Sequence, residues 1–235
     1  MTSPVGRRAA LAGGAALALP LRRAQAAGSV KIGVLTEMGG TYAADSGSGS
    51  VIAARMAVED FAREQPGAIA VEVISGDAQT KPDIASALAR AWFDQGGVDA
   101  VFDVPVSNCA LAVATVARAF SGRWAPLNSG NKPSMIHAGC YAGVLHYLRA
   151  IASGAPRADG VATVAQMKRM PTTDTLFGPG RIREDGRKIH DMHLFRVKAP
   201  AAAHSDWDMY DLVQTTPGEQ AFRPLAQGGC PLLPA

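Results

Sequence analysis

Between residues 30 and 120, short apolar runs alternate three times with longer stretches of helical spacing, and at Ser121 the alternation stops. Val30 to Leu35 is a β-branched run of strand length, followed by a glycine- and serine-rich loop over 39–50. Val51 to Arg63 then places Ile52, Met56, Val58 and Phe61 near helical spacing, with Ser50 as the N-cap. The second unit runs from a strand over Ile69–Ile74, through a polar loop at Asp77–Lys81, to a helix opened by Pro82. Its apolar face is Ile84, Leu88, Trp92 and Phe93, and Gly96-Gly97 ends it. A third strand over 100–104 precedes a helix from about Asn108 to Phe120. Three strand–helix units in a row, joined by short loops, imply a parallel sheet covered by helices, an α/β, Rossmann-like lobe.

Past that point the pattern changes. Ser121 to Pro133 is dense in turn residues and has no period. Two helical stretches follow, at about Ser134–Ser153 and Ala158–Met170. A hairpin is expected next, with Arg181–Glu184 turning at Asp185-Gly186 into Lys188–Lys198. From Pro200 on the chain reads as irregular, anchored by Trp207, Tyr210 and Phe222. The expected organisation is therefore 1–26 leader, 27–120 α/β lobe, 121–133 linker, 134–198 late helices and hairpin, and 199–235 tail.

The leader accounts for the charge. Residues 1–26 carry Arg7, Arg8, Arg22 and Arg23 and no acid, so four of the chain's 23 basic residues lie there, leaving 19 against 20 acidic ones. A nucleic-acid footprint needs a basic face on the folded part, and that is not available from this balance. Paired arginines, an apolar run over Ala9–Leu21 and Ala24-Gln25-Ala26 resemble an export signal of twin-arginine type, the alternative being an amphipathic or membrane-anchoring helix. The apolar run is too short to span a bilayer.

Six segments, in order, resemble the periplasmic substrate-binding proteins of ABC transporters, of the branched-chain amino-acid (leucine-binding-like, type I) family. They are Lys31–Tyr42 with Ala53–Asp60, Asp77–Asp83, Val98–Ser107, Met135–Leu148, Gly180–Lys198 and Ala221–Leu232. The resemblance implies the Rossmann-like lobe of that fold. It also implies a second lobe largely missing, because family members carry a long section where this chain has residues 121–133. What it implies about function is capture of a branched-chain amino acid, an amide or a similar small polar solute in the periplasm, for an ABC transporter permease. Capture would be impaired by loss of the second lobe. The alternatives are a remnant that binds nothing, or a one-lobe interaction module that forms a homodimer through the exposed apolar face.

By the same resemblance, Ser107 is expected to hold the solute's carboxylate. A hydroxyl beside free N–H groups at a helix start is a sound anion site, while the plain alternative is an N-cap serine. Tyr42 matches a position flanking the solute, or is simply a half-exposed loop tyrosine. Asn108 follows Ser107 in the same turn and is the third expected ligand residue.

No enzyme signature accompanies these residues. There is no Gly-x-Ser-x-Gly elbow and no Walker loop, and Gly47-Ser-Gly49 lacks the third glycine of a dinucleotide loop because Ile52 stands there. No catalytic residue, metal ligand or cofactor is expected. His190 and His193, three apart on one strand, would face opposite sides, and His137 and His146 are expected at a partial core or surface. Cys109, Cys140 and Cys230 are an odd set, so at least one thiol should be free.

Overall fold

The computed structural model describes residues 28–103, 127, 133–205 and 208–230. The leader, the expected third helix, nearly all of the linker and Trp207 lie outside the described residues.

Strand β1 (Ser29–Thr36) is central, because its β-branched and aliphatic residues are covered on both faces. It pairs in parallel with β2 (Ala70–Asp77) on one side and β3 (Ala100–Phe102) on the other, giving the order β2-β1-β3. Val30, Ile32 and Val34 point to one face and pack against helices α1 (Gly47–Glu64) and α3 (Met135–Ala152). On the opposite face Gly33 leaves room for the Trp92 indole of helix α2 (Pro82–Asp94), where an added Cβ would stand 2.6 Å from the ring. Trp92 follows Ile84 and Leu88 at four-residue spacing, as expected, and Pro82 takes the first turn. Phe93 does not belong to that face, since one further residue rotates it 100° round the helix and leaves it 53% exposed.

The late helices are part of this body. Phe61 and Met56 of α1 meet Val144, Leu145 and Leu148 of α3 in one cluster with the inner face of β1. Ser134 caps α3, and α4 (Gly160–Arg169) is capped by Asp159, whose carboxylate accepts the Ala162 N–H at 3.0 Å.

The C-terminal part departs from the expected hairpin. Strand β4 (Thr172–Asp174), β5 (Gly178–Ile182) and β6 (Lys188–His190) form one antiparallel sheet, with the Asp185-Gly186 turn where the sequence places it. The second arm then breaks at Asp191. Strand β7 (Met192–Val197) pairs instead with β8 (Tyr210–Thr216), inside the stretch expected to be irregular. The break is held by Asp191, whose carboxylate takes the Gly218 N–H at 3.0 Å where the one-turn helix α5 (Gly218–Ala221) begins. His190 and His193 consequently sit on strands of different sheets. His190 packs between Phe177 and Phe222, and His193 bonds the Thr215 hydroxyl at 2.9 Å.

Candidate functional site

In a sheet of order 2-1-3 the crossovers from β1 go in opposite directions, so a crevice opens at the carboxyl ends of β1 and β3. Three features gather along that edge. The first is the loop from Glu37 to Ser46, which leaves β1 and enters α1. It is pinned at its start by Asp77, whose carboxylate accepts from the Met38 and Gln79 N–H groups at 3.0 Å each. At its far end the Tyr42 carbonyl accepts from the Asp45 and Ser46 N–H groups and from the Ser46 hydroxyl.

Helix α1 begins at Gly47, earlier than Val51, so the Gly47–Ser50 stretch is its first turn rather than loop. Two contacts explain this. Gly47 has φ of +53° and donates its N–H to the Thr36 hydroxyl at 2.8 Å, a geometry that disfavours any side chain. Gly49 lies under the His137 ring, where an added Cβ would fall 2.2 Å from Nε2. Ser46, not Ser50, precedes the helix.

The second feature is backbone strain. The non-glycine residues with positive φ among those described are Gln79 (52°), Thr80 (53°) and Asp103 (58°), and all three follow the carboxyl ends of β2 or β3. A β-branched residue in that region is strained, and such strain concentrates where function fixes the backbone.

The third is incomplete polar bonding. Glu37 is 3% exposed, yet its Oε2 has no hydrogen-bond partner, and the same holds for Asp103 Oδ2. The hydroxyls of Ser50 and Thr36 face the Asp103 carboxyl and lower its pKa, but burial outweighs them and raises it. Buried polar atoms of this kind cost stability unless they are completed by something else.

Tyr42 lies on this loop and is 45% exposed. Ser107 and Asn108 lie outside the described residues, as does Cys109. What sequence reasoning missed is the contribution of α3. His137 and His146 are both buried, at 1% and 5% exposure, and not at a surface. The His137 Nε2–H donates to the Ser46 carbonyl at 2.9 Å, while its Nδ1 accepts the Ser134 N–H at 2.9 Å. Those two partners require the neutral ring, and burial lowers its pKa accordingly. The Ser134 hydroxyl donates to the Asp45 carbonyl. A histidine three residues after a serine at a helix start was the available signal, because it is the spacing of a capping box.

Cys140 and Cys230 are free thiols. Cys140 is buried against the Ser50 carbonyl and burial pushes its pKa well up, so it is not a nucleophile. No group of three or more His, Cys, Asp or Glu residues among those described is arranged to hold a metal ion. The larger described cavity, about 670 Å³, lies elsewhere, between α4, the β5–β6 turn and Phe222.

Among known proteins, the chain matches the family model described as periplasmic binding protein over residues 29–121 and 115–203. Its fold is similar to that of a branched-chain amino-acid ABC transporter periplasmic ligand-binding protein from Burkholderia xenovorans, with 21% identity and a TM-score of 0.74. That match covers 86% of this chain and 99% of the other. A periplasmic binding protein from Burkholderia mallei matches at 21% identity and a TM-score of 0.72, over 87% of this chain and 99% of its own. An ABC transporter solute-binding protein from Rhodopseudomonas palustris, in complex with 4-hydroxybenzoate, matches at 11% identity and a TM-score of 0.56, over 81% and 97%. No curated protein matches the chain.

Proposed function

Because this chain belongs to the periplasmic binding protein family, whose members bind solutes rather than transform them, we propose that it presents a solute to the permease of an ABC importer. The observation that carries the reading is the carboxyl edge of the β2-β1-β3 sheet, which bears the strained residues, the buried unpaired acceptors and the Tyr42 loop. Ser107, Asn108 and Tyr42 are the proposed solute contacts, with Ser107 on the carboxylate. A branched-chain amino acid or an amide is the proposed solute. An aromatic acid is the competing class, since the R. palustris relative holds 4-hydroxybenzoate.

The reading places one lobe of the binding fold in this chain. In support, the described residues contain a single parallel sheet. The family match also comes in two pieces that meet at 115–121, where the strand–helix rhythm stops. A site built from one lobe buries less of a solute than a closed cleft, so affinity should be weak. Export to the periplasm through residues 1–26 belongs to the same proposal. The described helices include none long and apolar enough to cross a membrane. The comparisons lend the homodimer no support, so the monomer is the state tested.

Thermal melting of the purified chain against leucine, leucinamide, urea and 4-hydroxybenzoate tests this. Ligand at a hundred times Kd stabilises by about 2.7 kcal/mol, and Ser107→Ala should abolish the shift for carboxylate ligands. Absence of any shift at millimolar concentration overturns the solute reading in favour of the remnant.

A further inference from the structure

Helix α3 reaches the solute edge from the far side of the linker, and it does so through very few groups. His137 is fully buried between the first turn of α1 and the end of the Glu37–Ser46 loop. We propose that His137 is a positioning residue for solute capture: as the neutral Nε2–H tautomer it fastens the Tyr42 loop and the start of α1 onto α3. The purpose of the loop rests on the solute reading above, whereas the clamp itself rests on bonds within this chain.

Three contacts make the clamp. Nε2–H donates to the Ser46 carbonyl, Nδ1 accepts the Ser134 N–H, and the Ser134 hydroxyl donates to the Asp45 carbonyl. The Ser46 carbonyl is the point at which the loop becomes helix, so losing its donor frees both. Gly49 is part of the device, because no side chain can stand under the ring. A proton on Nδ1 would turn that acceptor into a donor facing the Ser134 N–H, in a place with little water. Among the described residues, the charged group facing the ring is Asp45, from the loop. The first turn of α1 is Gly-Ser-Gly-Ser and the α3 residues from Ser134 to Ala138 carry no charge, so neither helix offers a counter-ion there. Cys140, one turn along α3, is held as the neutral thiol.

Hydrogen exchange of the Asp45 and Ser46 amides, both bonded to the Tyr42 carbonyl, reads the clamp directly. After correction for intrinsic rates, protection in the wild-type chain should fall between pH 7.5 and pH 5, while the β1 amides hold. An opened His137 regains its ordinary proton affinity, which sets a ceiling of about thirtyfold on the fall. His137→Gln keeps an N–H for Ser46 without a titrating ring, so its loop protection should not vary with pH. Should that variant fail to fold, Ser134→Ala serves instead. It should lower loop protection at pH 7.5 through loss of the Asp45 bond, yet keep the pH dependence. A wild-type change under about twofold, the same pH dependence in His137→Gln, or unaltered protection in Ser134→Ala overturns the proposal. Leucine added in a parallel melt separates the two readings. If the loop responds to pH but no solute shifts the melt, the clamp stands and the solute reading falls.

Discussion

The parallel lobe and the C-terminal sheets are built on different physics. In the lobe, Ile32, Val34, Met56, Val144 and Leu148 are completely covered, and the helices dock through hydrocarbon. In the β4–β8 region few apolar side chains are buried, chiefly Leu176 and Ile189, while Leu194, Val197, Leu212 and Val213 of the β7–β8 ribbon are more than half exposed. Ion pairs take over there, with Lys188 on Asp174 and Lys198 on Asp208 at 2.7 Å, and Arg181 on Glu219 at 2.8 Å. Burial is insensitive to salt and nearly non-directional; charge pairing is neither. The lobe should therefore set the stability of the chain, and the sheets should respond to ionic strength.

The largest effect should come from Phe61→Ala. It empties the centre of the α1–α3 contact and should cost about 4 kcal/mol in urea denaturation. If the cost is under about 1 kcal/mol, the lobe is not the dominant unit. Next is Asp174→Ala, at about 3 kcal/mol, because the 5% exposed carboxylate holds Lys188 and also accepts the Leu176 and Phe177 N–H groups. Lys188 stacks over Phe177 at 4.3 Å, and burial already lowers its pKa, so leaving its charge unpaired is costly. Asp174→Asn should recover part of the loss by keeping an acceptor for the backbone.

Acid comes third. Burial lowers the pKa of His137, His146 and His190 below the ordinary 6.5. The unfolded chain therefore takes up protons first, and stability is lost as pH falls below 6.5, with no contribution at higher pH. The slope is at most about 1.4 kcal/mol per pH unit for each histidine. Replacing His146, whose Nε2–H ties α3 to the Met167 carbonyl at 2.9 Å, by Gln should flatten that slope. Smallest is Arg181→Ala. Its pair with Glu219 is exposed, so the change should stay within about 0.5 kcal/mol and vanish in 1 M salt.

The same contrast explains what could be read from sequence. The lobe announces itself because buried strands and one-sided helices leave periodic apolar residues, and β1, α2 and α3 fall where Val30, Pro82 and Ser134 place them. The start of α1 was not legible, since it depends on Thr36 and on a histidine ninety residues away. Strand β8 was missed because its residues, Tyr-Asp-Leu-Val-Gln-Thr-Thr, alternate poorly and it carries a bulge at Val213, opposite Leu194 and Phe195 of β7. Of the candidate site, family likeness supplies Tyr42 as an expectation, whereas the unpaired atoms of Glu37 and Asp103 are properties of burial, which no local pattern reports.

The docking of α1 on α3 also governs how the chain must assemble. The bond from His137 to Ser46 closes a loop of 91 residues, and Tyr141 reaches Asp60 across 81 at 2.7 Å. Contacts of such separation are entropically expensive to nucleate, so local strand–helix units form early and this one late. A nascent chain ending near residue 120 would leave the inner face of α1 uncovered, exposed to chaperones or to other chains. Closure of the core waits for Ala152, about two thirds of the way along the polypeptide.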